Sequence, residues 1–442
     1  MKIPAMAALC TAGFALCGCP ITGGAKYTVG GTVTGLAGPG LVLELNGGDS
    51  LSFNGSGTFV FGTHLANNAA YAVTVETQPS NPSQTCTVHS GSGTINKSSV
   101  TNVIVSCTQV GRFAYVANRQ SNSISGFGID PSSGALVPLG GSPFALNGAT
   151  PTALVVDPNG QFLYAANSGS NTVSSYSINA TSGALTAVSA PVATGTGPNA
   201  VIVDPTDHYL YVANLNSNNV SAFLISNGTL TAVPGSPFTV GQGPAALAID
   251  PNGNFLFVAN FSGNSLSVLL IDQANGMLST VAGSPFGTGA GTAPLSIAID
   301  STNSFAFVAD NSAQSIASYA LDATTGVLTA IAGSPLVAGG SPEALAVDPS
   351  GSYVFAANTE AANQVATFNI SPATGVLTAS SGTTAGLLPI AVAIDPSGTF
   401  LYAVNYDSND VSAYTLSAGG TLTPVPGSPF AVGIQPHSIA IH

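Results

Sequence analysis

FLFVAN, residues 255–260, is one of seven near-copies of a single hexad. The others are FAYVAN from Phe113, FLYAAN from Phe162, YLYVAN from Tyr209, FAFVAD from Phe305, YVFAAN from Tyr353 and FLYAVN from Phe400. Their starts lie 49, 47, 46, 50, 48 and 47 residues apart. Short apolar, aromatic-rich runs bounded by turn residues read as buried strands. Self-similarity at this period, in a chain with 52 Gly among 442 residues, predicts a β-propeller whose repeats bury their faces against one another.

Each repeat carries four strand-like parts. The first is P-x-x-x-x-x-D: PTALVVD from Pro151, PNAVIVD from Pro198, PAALAID from Pro244, PLSIAID from Pro294, PEALAVD from Pro342 and PIAVAID from Pro389. Most continue as Asp-Pro-x-Gly or a variant, a turn in which Asp caps its own backbone and Pro presets φ. The hexad is the second strand. A third follows, such as NTVSSYSI from Asn171, and a turn such as TSGALTAV from Thr181 leads into a fourth that often reaches GSPF. The small side chains of the first two strands suit the crowded axis. Burial on both faces explains their nearly continuous apolar character.

The first hexad, at Phe113, has no P-x-x-x-x-x-D strand before it. The missing piece is PHSIAIH, Pro436 to His442, at the other end of the chain. The fold class expected is therefore all-β: a seven-bladed β-propeller over residues 110–442, four strands per blade, with the C-terminal strand closing blade one. Closure removes strand edges that would otherwise invite aggregation.

These hexads, the Asp-Pro-x-Gly turns, the TSGALT-type hairpins and the closing PHSIAIH resemble the seven-bladed propeller lactonase family, the YVTN-repeat proteins that include bacterial 6-phosphogluconolactonase-like members. The resemblance covers residues 111–442. It implies a substrate site at the channel mouth, beside the residue that follows each first-strand Pro, where Arg and His cluster in the lactonase-like enzymes. Here those positions read Thr152, Asn199, Ala245, Leu295, Glu343, Ile390 and His437. Only Glu343 and His437 are ionisable. Arg119, just after the first hexad, falls in a two-to-three loop on the same face and in the same blade as His437. His437, Glu343 and Arg119 are the candidate catalytic set: a base, a carboxylate and a cation that could activate water on a lactone or ester.

The repeated Asp157, Asp204, Asp250, Asp300, Asp348 and Asp395 could suggest a ring of cation ligands, but their turn position accounts for them without one. The hexad-ending Asn residues, Asn118, Asn167, Asn214, Asn260, Asn358 and Asn405, read as turn residues tolerant of left-handed φ. Asp310, Asp407 and Asp410 are expected to add negative charge to the mouth face. No metal and no cofactor is expected.

The N-terminus reads as an address. Lys2 is followed by an apolar run from Ile3 to Leu16, too short to span a membrane as a stable helix, and then by Leu16-Cys17-Gly18-Cys19. This resembles the bacterial lipobox, with residues 1–18 a lipoprotein signal peptide, Cys19 the lipidation site and residues 19–26 a lipidated tether. The alternative is an ordinary secretory signal. Cys86 and Cys107 remain as an even pair in an exported chain, which predicts a disulfide. Residues 27–109 alternate in strand-like runs broken by Gly-Gly, Asn-Gly and Ser-Gly turns, predicting a small β-sandwich. Its NGGDSL and QTCTV motifs resemble those of Ig-like modules in bacterial surface proteins.

Only 5% of the chain is charged, against about 25% in an average soluble protein. The propeller holds no Lys, two Arg (Arg112 and Arg119), thirteen Asp and two Glu, a net charge of 2 − 15 = −13. No nucleic-acid partner is expected, because two Arg and no Lys are too few to neutralise its phosphates. A phosphorylated sugar is disfavoured, since Arg112 and Arg119 fall on opposite faces. The expectation is an exported monomer held in the bacterial cell envelope, at the outer membrane or cell surface, by its lipid anchor alone. Its propeller would serve as a surface binding or scaffold module for a protein or carbohydrate ligand. The alternatives are hydrolysis of an uncharged lactone or ester at the channel mouth, and a part in a periplasm-facing assembly.

Overall fold

The computed structural model describes residues 25–36, 38–79, 84–109, 112–359 and 363–442. Cys19 and the signal segment lie outside the described residues. The chain divides into two compact units, Met1–Val110 and Gly111–His442. All regular structure among the described residues is β.

In the first unit two four-stranded sheets enclose one core. One sheet runs in the order Gly57–Val60, Val29–Thr34, Val100–Gln109, Gln84–His89; the other runs Asp49–Phe53, Leu41–Leu45, Ala70–Thr77, Ser92–Thr94. Alternation supplies the core from both: Val29, Val33, Val103 and Val105 from the first pack with Leu41, Leu43, Leu45 and Val73 from the second. Cys86 stands directly opposite Cys107 on neighbouring antiparallel strands, and the two form a disulfide.

The second unit is the propeller, with seven sheets of the same order. In the fourth blade the strands are Pro244–Ile249, Phe255–Asn260, Ser265–Ile271 and Leu278–Thr280. In the first blade the innermost strand is Pro436–Ile441, paired antiparallel with Phe113–Asn118: Ala114 faces Ile441, Val116 faces Ile439 and Asn118 faces Pro436. Phe113 and His442 exchange both backbone hydrogen bonds, each at 3.0 Å. The inner strands follow one another around the axis, and the last touches the first across the closure.

Repeated residues do repeated structural work. Each Asp of the first turn accepts backbone N–H bonds from the start of the hexad; Asp395 Oδ1 takes those of Thr399 and Phe400, both at 2.8 Å. Those oxygens are spent on the turn. In five blades the fourth strand is interrupted at Gly-Ser-Pro, and the Ser hydroxyl accepts a third-strand N–H in place of a ladder carbonyl. Ser236 does so for Ala222 and Ser284 for Val268, both at 2.9 Å. The hairpin glycine between strands three and four sits at φ between +66° and +76° in every blade, against the ring that opens the preceding blade's hexad. A Cβ on Gly276 would lie 2.3 Å from Tyr209, and one on Gly326 would lie 2.7 Å from Phe255.

The hexad-ending Asn residues differ from their sequence reading. They are fully buried and do not have positive φ. Asn118 donates through Nδ2 to Ser123 Oγ (3.1 Å) and Ser125 Oγ (2.9 Å), and Asn260 does the same to Ser265 and Ser267. In blades one to four and seven they tie strand two to strand three under the loops, and in blade six Asn358 donates to the Ala338 carbonyl at 2.7 Å. Left-handed φ belongs instead to Asn122, Asn171, Asn218, Asn264, Asn363 and Asn409, the residues just before or at the start of the third strand. Each of these accepts the N–H of the residue before the next blade's first-strand Pro, as Asn409 does from Gln435 at 2.7 Å. The mouth loops are thereby held blade to blade.

Candidate functional site at the channel mouth

Two columns of residues face the mouth. One is the second residue of each innermost strand, set by the Pro that starts it. The other is the residue after each hexad, lifted over the buried Asn. The whole first column, with Arg119, Leu215, Phe261 and Tyr406 from the second, lines a cavity of about 540 Å³, within the ordinary range for small-molecule sites. His437, Arg119 and Glu343 all line it.

His437 is partly buried. Its Nδ1 lies 2.8 Å from the Thr152 carbonyl, which can only accept, so Nδ1 carries the proton and Nε2 keeps the lone pair. Burial pushes the imidazole below its ordinary value of 6.5; the Thr152 bond opposes this, and the Arg119 charge adds to it. The ring is therefore neutral at pH 7. Tyr406 packs against it edge-to-face, with ring centroids 6.3 Å apart. Thr152 is itself tied down, its hydroxyl donating to the Pro198 carbonyl at 2.7 Å; Asn199 reaches the Ala245 carbonyl at 2.9 Å. This belt locks the inner strands of blades one to four at the rim.

Glu343 enters from blade six, two blades from His437, and its Oε1 accepts from Asn311 Nδ2 at 3.0 Å. The Arg119 guanidinium makes no ion pair or hydrogen bond among the described residues, and its backbone N–H is anchored to the Gln435 carbonyl at 2.9 Å. Arg112 is elsewhere: its Nη1 pairs with Asp395 Oδ2 at 3.0 Å, at a first turn. Arg119 is thus the one cation lining the cavity among the described residues.

Asp310 is buried rather than exposed on the mouth face, which weakens the charge that its position in the sequence suggests. Desolvation lifts its carboxyl from 3.8 to about 7. Among the described residues, no group of three or more His, Cys, Asp and Glu is placed to hold a metal ion. Tyr406 and Asn311, with Leu215 and Phe261, are site residues absent from the sequence-based set, and Thr152, a mouth position there, gains a role as the partner of His437. The signal for the first four is the column after the hexad, to which Arg119 also belongs.

A seven-bladed ring with a concave, mostly apolar mouth and a few converging polar groups is the frame of a propeller lactonase. The model of the family described as lactonase, seven-bladed β-propeller, matches residues 73–198, 143–234, 190–343 and 332–430, and the chain belongs to that family. Its fold is similar to a candidate 6-phosphogluconolactonase of Bacteroides uniformis, at 21% identity over 76% of this chain and 100% of that one, with a TM-score of 0.67. A second candidate 6-phosphogluconolactonase, from Bacteroides fragilis, is 20% identical over 75% of this chain and 98% of that one, again with a TM-score of 0.67. The periplasmic gluconolactonase of Pseudomonas aeruginosa is 20% identical over the same shares, with a TM-score of 0.65. A comparison of the sequence with curated proteins finds no match.

Proposed function

We propose that the channel mouth hydrolyses a small lactone that carries no phosphate. One observation carries this reading: a neutral imidazole with its Nδ1–H committed to a carbonyl shares a cavity with an unpaired guanidinium. In the reaction, His437 Nε2 takes a proton from water as the water oxygen bonds to the acyl carbon. The carbonyl oxygen becomes an oxyanion beside Arg119. Collapse breaks the ring C–O bond, and the leaving alkoxide takes the proton back from the imidazolium. The product is a hydroxy acid, which ionises at neutral pH. Glu343, held by Asn311, offers an acceptor for a substrate hydroxyl. A phosphate dianion would meet a single guanidinium within a propeller of net charge −13, which opposes its approach.

The test is a lactone panel with and without phosphate. His437→Ala is expected to lose about 10²–10⁴-fold in kcat on neutral lactones. The wild-type profile should be flat at alkaline pH and fall on the acid side, with its midpoint below 6.5. Arg119→Gln should lower kcat and move that midpoint upward, because the Arg119 charge helps to keep His437 neutral. Preferred turnover of the phosphorylated lactone would overturn the reading.

A second reading, a binding or scaffold module of the cell envelope, is favoured by the lining itself, in which Arg119, Glu343 and His437 are the ionisable groups apart from Tyr406. Either activity would sit outside the cytoplasm on a chain lipidated at Cys19. Mass spectrometry of the mature N-terminus tests this, and an unmodified Cys19 or a different first residue would refute it.

A further inference from the structure

The mouth is divided by chemistry around the ring. His437 and Arg119 belong to blade one. In a closed ring of seven, the blades farthest from blade one are four and five, three steps away in either direction. There the mouth positions read Ala245 and Phe261 in blade four and Leu295 in blade five, with Leu215 beside them in blade three; all line the same cavity. Leu215, Phe261 and Leu295 are only partly covered by protein. Blade five's remaining mouth residue, Asn311, is turned to Glu343 in blade six. The reactive groups thus face an apolar arc across the cavity, interrupted by Asn199, whose amide is turned to the Ala245 carbonyl, and by Ser296, while Leu388 and Ile390 add apolar lining from blade seven. A polyhydroxy sugar lactone would leave its hydroxyls unpaired against that arc, and each such buried group costs free energy.

We propose that the substrate is amphipathic: a neutral lactone whose ring lies at His437 and Arg119 and whose aliphatic or aromatic substituent lies against Leu215, Phe261 and Leu295. This rests on the reading of the mouth as a lactone site. The substituent supplies binding through apolar burial, and the single cation meets only the developing oxyanion.

The test uses the full chain and two matched series, γ-lactones and non-hydrolysable γ-lactams, each unsubstituted or carrying butyl, hexyl or octyl chains. In wild type, Kd for the lactams should fall by about fourfold per added methylene until the arc is covered. In Leu215→Ser, Phe261→Ser and Leu295→Ser the gain per methylene should shrink toward one, with the unfolding midpoint checked for each. Phe261→Leu should retain the gain. His437→Ala should retain the gain in Kd while losing lactone turnover. Affinity independent of chain length in wild type, or tighter binding of a polyhydroxy lactone than of the octyl lactone, would overturn the proposal. A clear chain-length gain with no turnover of any lactone would sustain the apolar specificity and overturn the hydrolytic reading.

Discussion

Asp310→Asn should stabilise the propeller, and the gain should grow with pH. Asp310 ends the fifth hexad, where the other six blades carry Asn. Its side chain is 1% exposed, and its Oδ1 has no hydrogen-bond partner among the described residues. Ser315 Oγ, which an Asn at this position would reach as Asn260 reaches Ser265, is also buried and without a partner there. At the position where blades one, two, three, four and seven carry a second Ser, blade five has Ala317. Burial lifts the carboxyl from 3.8 to about 7. A raised carboxyl binds its proton more tightly in the folded state, so its contribution to stability is fully present below 3.8 and is lost as pH rises through about 7. The whole change corresponds to about 4 kcal/mol, at roughly 1.4 kcal/mol per tenfold in proton affinity. Between pH 5 and pH 8 the difference between Asp310→Asn and wild type should widen by about 3 kcal/mol. A restored bond to Ser315 should add about 1 kcal/mol at every pH. His437 and His442, both lowered by burial, act in the opposite direction, but they are common to the two proteins and cancel in the difference. Urea unfolding of both proteins at pH 5 and pH 8 measures it. An equal difference at the two pH values, or a less stable variant, would refute the buried neutral carboxyl.

Removing residues 436–442 strips blade one of its innermost strand and bares the edge of Phe113–Asn118; the truncated chain should aggregate or melt at a much lower temperature, as light scattering and calorimetry would show. Gly276→Ala forces a Cβ to 2.3 Å from Tyr209 at a φ of +73°. The combined backbone and overpacking cost is about 2–4 kcal/mol, read as a lower urea midpoint.

The ring was legible in the sequence because its constraints recur. A glycine in the hairpin recurs in all seven blades, and a buried Asn under the mouth and a capping Asp in the first turn recur in six each, because near-identical environments select near-identical residues. The closure followed from one missing strand and one spare strand. What local reading could not see was direction. Asn in a polar cluster after a strand suggests a turn, and only the packed blade shows that Asn118 points inward to Ser123 and Ser125 while Asn122 takes the left-handed φ. The interruption of the fourth strand at GSPF was equally hidden, because the Ser hydroxyl that repairs the ladder comes from the interruption itself.

The site follows a different rule from the frame. At the mouth two positions per blade differ from blade to blade: His437, Thr152, Asn199, Ala245, Leu295, Glu343 and Ile390 in one column, and Arg119, Ser168, Leu215, Phe261, Asn311, Thr359 and Tyr406 in the other. A sevenfold frame presents the same backbone seven times, so a site with two chemically distinct sides can arise only by breaking symmetry at these positions. The break is graded. Blades one and two carry hydrogen-bonding and ionisable groups, with Thr152 fixing the tautomer of His437; blades three to five carry most of the apolar arc; blade six supplies the carboxylate and blade seven the aromatic edge against the imidazole. Reading only the first column finds His437 and Glu343 but misses Leu215, Phe261 and Tyr406. Reading both in register recovers an asymmetric mouth, and that asymmetry, rather than any motif, carries what the sequence says about the ligand.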